Sequence, residues 1–277
     1  MHIYVEGLGG LGNSLFQIYT ALYYVNKYNY NIILIKDRQN DQDSVLINGT
    51  GVTKNLNAKK NTNFISYKDS IFSKCEWTSY KEMNNYITLG SIRSIESKTE
   101  TNIRIGGHCQ NINSSTINFD LIYNYLNLQD NSIISYINNK YGDISNCICI
   151  GIRMGYDHSP KDILSSKYYE KALETYKQMN IDISNLIILS DTNNAWNDIL
   201  KLNDKYPGNT IIEPDIIQFY IGIMCKHYIL SISTYHLWIA YLGTHKNHHK
   251  NVIYPPSWRL PKDKLILPDW ICIDNFS

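Results

Sequence analysis

Residues 2–36 read HIYVEGLGGLGNSLFQIYTALYYVNKYNYNIILIK, and this stretch decides the fold class. HIYVE at 2–6 is a short strand, and a glycine-rich turn follows it. Leu15, Ile18, Leu22 and Val25 then recur at helical spacing. NIILIK at 31–36 is the next strand, so the chain opens with the βαβ pattern of a doubly wound sheet. Gly7, Gly9 and Gly12 satisfy G-x-G-x-x-G, and Asp37 after the second strand is placed to bind a ribose. Small residues there allow a tight turn and close backbone approach, while a helix start offers amide donors to an anion. That serves NAD, a sugar nucleotide or an acceptor equally, and the same glycines suit a turn that only closes against the sheet. Asn13 also reads as an N-cap.

Working outward, the signal weakens between about 40 and 118 into Asn, Lys and Ser, with a second glycine pair at Gly106-Gly107. A helical stretch over 119–140 leads to a buried-type strand at 147–153, CICIGIR. This places a domain boundary near 145, giving domains 1–145 and 146–277. The second half alternates helix 167–179, strand 186–190, helix 193–204, strand 210–213, helix 215–227, strand 228–232 and helix 234–243. That is a second βα-repeating domain, and no solenoid repeat or heptad run is present.

Lys and Arg number 26 against 25 Asp and Glu, so a net charge of +1 gives no global pull toward nucleic acid or an acidic membrane. The 23 tyrosines fit half-buried strands and helices better than a dedicated aromatic site. Six cysteines form no C-x-x-C pair, and free buried thiols in a reducing compartment account for them. The N-terminus has no basic segment followed by an apolar run, and nothing reaches the ~18 apolar residues of a membrane span. A soluble, cytoplasmic chain is expected, in which sequons at Asn48 and Asn113 carry little weight.

Arg153 ends the strand 147–153, where carboxyl ends of parallel strands border a ligand crevice. Its planar fork suits a phosphate, although an ion pair explains it too. Ser233 and Thr234 follow a strand and open the helix YHLWIAYLG, so their hydroxyls and the helix amides form a phosphate site, a cap, or both. Asp191 ends another strand and Asp215 begins a helix; each also reads as a cap. Asp41-Gln42-Asp43 matches a metal-binding D-x-D, but lies in a polar loop where such a pair arises by chance. His245, His248 and His249 crowd a Lys/Asn-rich segment without a nearby carboxylate, which suits a solvated loop.

In order along the chain, these segments resemble the family 11 glycosyltransferases, the α-1,2-fucosyltransferases that use GDP-L-fucose. GGLGNSLFQ at 9–17 is similar to the family's GGLGNQ-x-FQ opening, and GGHCQN at 106–111 to its G-Y-x-Q segment. Arg153 falls on the arginine of H-x-R-x-G-D, with KYYEKAL at 167–173 behind it. LSDTNNAW at 189–196, MCKHYILSISTYHLWIAYL at 224–242 and YPPSW at 254–258 resemble three further blocks. The 224–242 block is the most specific, because Cys, His, Ser-Thr, Trp and Ala all recur at fixed spacing.

The resemblance implies a GT-B fold, two Rossmann-like domains facing across a cleft, with the GDP-sugar donor held mainly by the C-terminal one. It implies an oligosaccharide acceptor, an inverting transfer and no metal or other cofactor. Arg153 would bind the diphosphate and stabilise the departing GDP, Ser233 and Thr234 would hold phosphate oxygens, and Asp215 would accept hydrogen bonds from guanine. Asp191 would join the donor site, and Asn13 with the amides around Gly10 and Gly12 would line the cleft from the other domain. Asp157 and Glu6 are the candidate general bases.

The departures fall around the donor site. Gly151 stands where the family has histidine, and Tyr156 where it has aspartate, with Asp157 one step late. Ile232 and His236 replace Asn and Ser, and Leu237 replaces a tryptophan. An altered donor, a remodelled acceptor site or weak activity would each follow. An NAD(P)-dependent oxidoreductase and a non-catalytic nucleotide- or glycan-binding remnant are the alternatives.

Overall fold

The computed structural model describes residues 1–5, 10–28, 31–35, 67, 69–78, 82–83, 85–89, 101–107, 109–110, 118–155, 163–245, 250–256 and 265–274. The chain divides into two compact units, Met1–Asp130 with Asp263–Leu265, and Asn131–Lys262 with Ile266–Ser277. The division falls at 130/131, upstream of the position near 145 read from the sequence. What separates the two is the single helix expected over 119–140, which is in fact two helices.

In the first unit, strand β1 (His2–Val5) runs into helix α1 (Leu11–Tyr28) and then strand β2 (Asn31–Ile35). The opening βαβ pattern is therefore present as read. The stretch where sequence periodicity failed contributes β3 (Glu76–Thr78), β4 (Tyr86–Leu89) and β5 (Asn102–Ile105). All pair in parallel, in the order β3-β2-β1-β5-β4. These strands are three or four residues long, too short to show a period of two against their polar surroundings.

Helix α2 (Phe119–Tyr125) is capped by Asn118, whose side chain accepts the Leu121 N–H at 3.3 Å. It stops at Leu126, which is extended. Leu126 and Leu128 then turn into the core of this unit, and Asn127 donates its N–H to Ile71 at 2.9 Å. Helix α3 (Asn131–Tyr141) starts afresh in the second unit.

The second unit carries β6 (Ile148–Ile152), α4 (Ser166–Gln178), β7 (Leu186–Ser190), β8 (Asn209–Ile211), α5 (Asp215–Met224), β9 (His227–Ile229), α6 (Thr234–His245), β10 (Val252–Tyr254) and β11 (Ile271–Cys272). Its six strands are parallel and ordered β11-β10-β9-β6-β7-β8. Counted from β6, this is the 3-2-1-4-5-6 order of dinucleotide-binding sheets, and its switch point lies between β6 and β9. β6 is buried along its whole length, as a central parallel strand covered on both faces must be. From His236 to Gly243, α6 is buried on every side, which marks it as a core helix.

The helix expected over 193–204 is corrected to a single π-helical turn, Ala195–Ile199. Asn194 before it and Lys201 after it both take left-handed backbone, which ends any longer helix. The apolar spacing that suggested a helix is used to sink Trp196, whose indole N–H donates to the Tyr206 carbonyl at 2.9 Å. The cysteines need a correction as well: all six are free, but Cys272 is exposed and Cys75 only half-buried.

Candidate functional site

At a switch point neighbouring strands diverge, and their last carbonyls lose ladder partners. The β6–β9 register here ends at Ile150 opposite Ile229. Two adjacent tyrosines of α4 take over beyond it. Tyr169 donates to the Gly151 carbonyl at 3.2 Å, and Tyr168 to the Leu230 carbonyl at 2.8 Å. The carbonyls beyond the ladder are thereby satisfied by side chains. Tyrosine in this unit is thus a structural donor to the sheet.

Arg153 leaves the carboxyl end of β6 at this edge. Its Nη1 pairs with Asp191 Oδ2 at 2.8 Å, and the other carboxylate oxygen of Asp191 accepts the Met154 N–H at 2.8 Å. Asp191 therefore acts through Arg153: it clamps the guanidinium and the chain that follows. A cation fixed in advance stabilises arriving negative charge without reorganising.

Across the switch point, Leu237 N–H donates to the Ser233 carbonyl at 3.0 Å, which makes Ser233 the N-cap of α6. Its side chain makes no hydrogen bond among the described residues. Ser233 and Thr234 are both half-buried. Tyr235 donates from its hydroxyl to the Asp215 carbonyl, tying the head of α6 to the head of α5. The Asp215 carboxylate accepts the Ile216 N–H at 2.8 Å, and burial pushes its pKa up to about 6. Just before it, Glu213 accepts from the Tyr136 and Tyr141 hydroxyls at 2.9 and 2.8 Å and pairs with Lys140. Burial alone would raise the Glu213 pKa; these donors lower it, and the cluster ties α3 to the segment that presents Asp215.

The two departures at 151 and 236 prove to be one. A Cβ on Gly151 would lie 2.5 Å from Cγ of His236 and 2.6 Å from its Nδ1. The imidazole of α6 thus fills the space beside β6 that a side chain at 151 would occupy. Ile232 belongs to the hydrophobic core and Leu237 is fully buried, so those two changes concern packing.

In the first unit, Gly10 accepts the N–H groups of Asn13 and Ser14 at 3.0 and 3.1 Å, so Asn13 lies inside α1 and is not its N-cap. The Asn13 side-chain Oδ1 accepts from the Gln110 amide at 2.8 Å, and Gln17 donates to the Gly107 carbonyl. The two glycine segments singled out in the sequence are thereby bonded together. Gly12 is buried beside them and Gly10 is exposed.

Cys225 and His227 of the 224–242 block are structural. Cys225 Sγ contacts the Ile221 carbonyl at 3.4 Å, and His227 Nδ1 accepts the Asn251 N–H at 3.1 Å. Glu6, Gly7, Gly9, Asp37, Asp41, Asp43, Tyr156, Asp157, His248 and His249 lie outside the described residues. Among the described residues no group of three or more His, Cys, Asp or Glu could hold a metal, and no helix is long and apolar enough to cross a membrane.

Sequence reasoning passed over Ser231, Glu213, Tyr168, Tyr169 and Tyr235, and met His236 only as a departure. A lone glycine in an otherwise apolar strand, and a histidine within an apolar helix, were the available signals.

The family model described as glycosyl transferase family 11 matches residues 2–274. No curated protein matches the sequence. Among solved structures, fucosyltransferase NodZ from Bradyrhizobium is similar at a TM-score of 0.54 and 10% identity, over 87% of this chain and 93% of that one. NodZ α-1,6-fucosyltransferase co-crystallised with GDP gives 0.52 at 10% identity, over 87% and 92%. POFUT1 in complex with GDP gives 0.53 at 8% identity, over 91% and 98%. At these identities the likeness is one of fold, and the fold class is GT-B.

Proposed function

The chain belongs to glycosyl transferase family 11, and from that premise we propose that it transfers L-fucose from GDP-β-L-fucose to a glycan hydroxyl, with inversion to an α-1,2 linkage. The observation that carries this reading is the presence around one switch point of a clamped arginine, a hydroxyl-bearing helix start and a half-buried carboxylate. Arg153 and the start of α6 are the sequence's own candidates for a diphosphate, and Asp215 for a base bearing N–H donors. Family membership sets aside the oxidoreductase reading.

The chemistry follows from the charges. As the acceptor oxygen attacks the anomeric carbon, the bond to the GDP oxygen breaks and negative charge grows on the diphosphate. Arg153, fixed by Asp191, meets that charge together with Ser233, Thr234 and the α6 amides. This is the role a metal plays in other transferases, and we propose a metal-independent reaction on that ground. Asp157 or Glu6 is proposed to take the acceptor proton. Asn13, Gly10 and Gly12 are kept as proposed donor contacts, with the N-terminal unit serving the acceptor.

The test is incubation with GDP-fucose and a panel of galactose-terminated oligosaccharides, reading GDP release and determining the product linkage by NMR. Acceptor-dependent GDP release with fucose on O2 is expected. Fucose on another hydroxyl overturns the linkage, and GDP binding without turnover favours a non-catalytic remnant. Stabilisation by NAD(P) but not by GDP would overturn the donor assignment.

A further inference from the structure

His236 is 5% exposed, and its ring lies against Gly151 on the face of β6 that Arg153 shares two residues on. Its Nδ1 is 2.7 Å from the Ser231 hydroxyl. Ser231 is 2% exposed and has this imidazole as its side chain's one partner among the described residues. If Nδ1 carried the proton, the serine hydroxyl hydrogen would be buried without an acceptor, which costs about 1–3 kcal/mol. The hydroxyl therefore donates to Nδ1, and the imidazole proton sits on Nε2.

That Nε2 has no hydrogen-bond partner among the described residues. Burial, and after it the charge of nearby Arg153, lowers the pKa of the ring to about 3, so it is neutral at physiological pH. A neutral N–H held without a partner beside a clamped arginine is a donor awaiting an acceptor. Arg153 dictates the acceptor's sign: it is an anion.

We propose that His236 is a second diphosphate ligand of this site, donating from Nε2 to an oxygen of the leaving group that Arg153 receives. The inference rests on the donor reading above. It also accounts for Gly151, because the imidazole reaches this place from α6 only where β6 carries no side chain.

The test measures binding of GDP, guanosine and inorganic pyrophosphate to the full chain by calorimetry. His236→Asn keeps an acceptor for Ser231 but does not reach the Nε2 position; His236→Gln reaches it with an amide donor. The expected result is a loss of about tenfold in GDP and pyrophosphate affinity for His236→Asn, equivalent to about 1.4 kcal/mol. Guanosine affinity should stay unchanged, and His236→Gln should recover part of the loss. Undiminished pyrophosphate binding by His236→Asn overturns the proposal, and so does an equal loss for guanosine. A wild-type chain that binds pyrophosphate but not GDP removes the nucleotide reading while the two variants still judge His236. One that binds neither overturns both.

Discussion

In the N-terminal unit, the polar side chains at the strand-to-helix junction bond to one another: Gln110 to Asn13, and Gln17 to the Gly107 carbonyl. In the C-terminal unit, the equivalent junction holds charge. Arg153 is clamped by Asp191, Asp215 is half-buried at a helix head, and the Ser233 hydroxyl and His236 Nε2 lack partners among the described residues. One fold device therefore serves two ends. Where polar groups satisfy each other they specify a backbone, and where they are held ready they are matched to something that arrives.

The largest expected effect falls on the charged junction. Arg153→Ala should lower turnover by about 10²–10³-fold, the range for deleting one preorganised donor to developing negative charge. Thermal melts should show the fold intact, since the side chain is partly exposed at a strand end. Full activity in a folded Arg153→Ala would place the chemistry elsewhere and erase the contrast between the units.

The second effect is on pH. Asp215 titrates at about 6 because burial raises it from 3.8. Its neutral form favours the folded ligand-free chain, so that contribution to stability is full below about pH 4 and is lost as pH rises through 6. A base that donates N–H groups needs the ionised carboxylate, so GDP affinity should run the other way and fall as pH drops below about 6, by up to tenfold per unit. Asp215→Asn should flatten both profiles, read by thermal melts and by GDP titration between pH 5 and 8. An unchanged affinity profile would remove Asp215 from the nucleotide site.

The sequence showed which regions to compare but not how they differ. Strand-helix periodicity was legible at clear apolar runs, as at Ile148–Ile152 and Leu186–Ser190. It failed for β3, β4 and β5, which are held by their neighbours in the sheet more than by their own pattern. Arg153, Ser233, Thr234 and Asp215 could be picked out because chain position alone puts them at element ends. Their supports could not. Glu213 and Tyr168 act across dozens of residues, and nothing in linear spacing joins Tyr169 to Gly151 or marks Ser231 as the partner of His236. The exchange between 151 and 236 looked like two losses because the two positions meet only in space.

That exchange gives the third prediction. Gly151→Ala should destabilise the chain by about 1–3 kcal/mol, the cost of overpacking a filled site, because the new Cβ has no room beside the imidazole. Adding His236→Ser should restore most of it, since the space is then vacated. Denaturant melts of the two single variants and the double should reveal a coupling of about 0.5–3 kcal/mol. Additive effects would mean that the two positions do not share the space.

The smallest expected effect belongs to the other unit and is the most direct check on the comparison. Gln110→Ala removes the donor to Asn13, a bond of 2.8 Å between neutral amides. The net worth of such a bond is about 1 kcal/mol, so melts should fall by that order. GDP affinity should change by less than about twofold, because a bond that completes a turn has no reason to sense the donor's charge. A GDP loss of about tenfold or more would show that the proposed donor contact of Asn13 depends on this bond. The N-terminal junction would then be a second poised site.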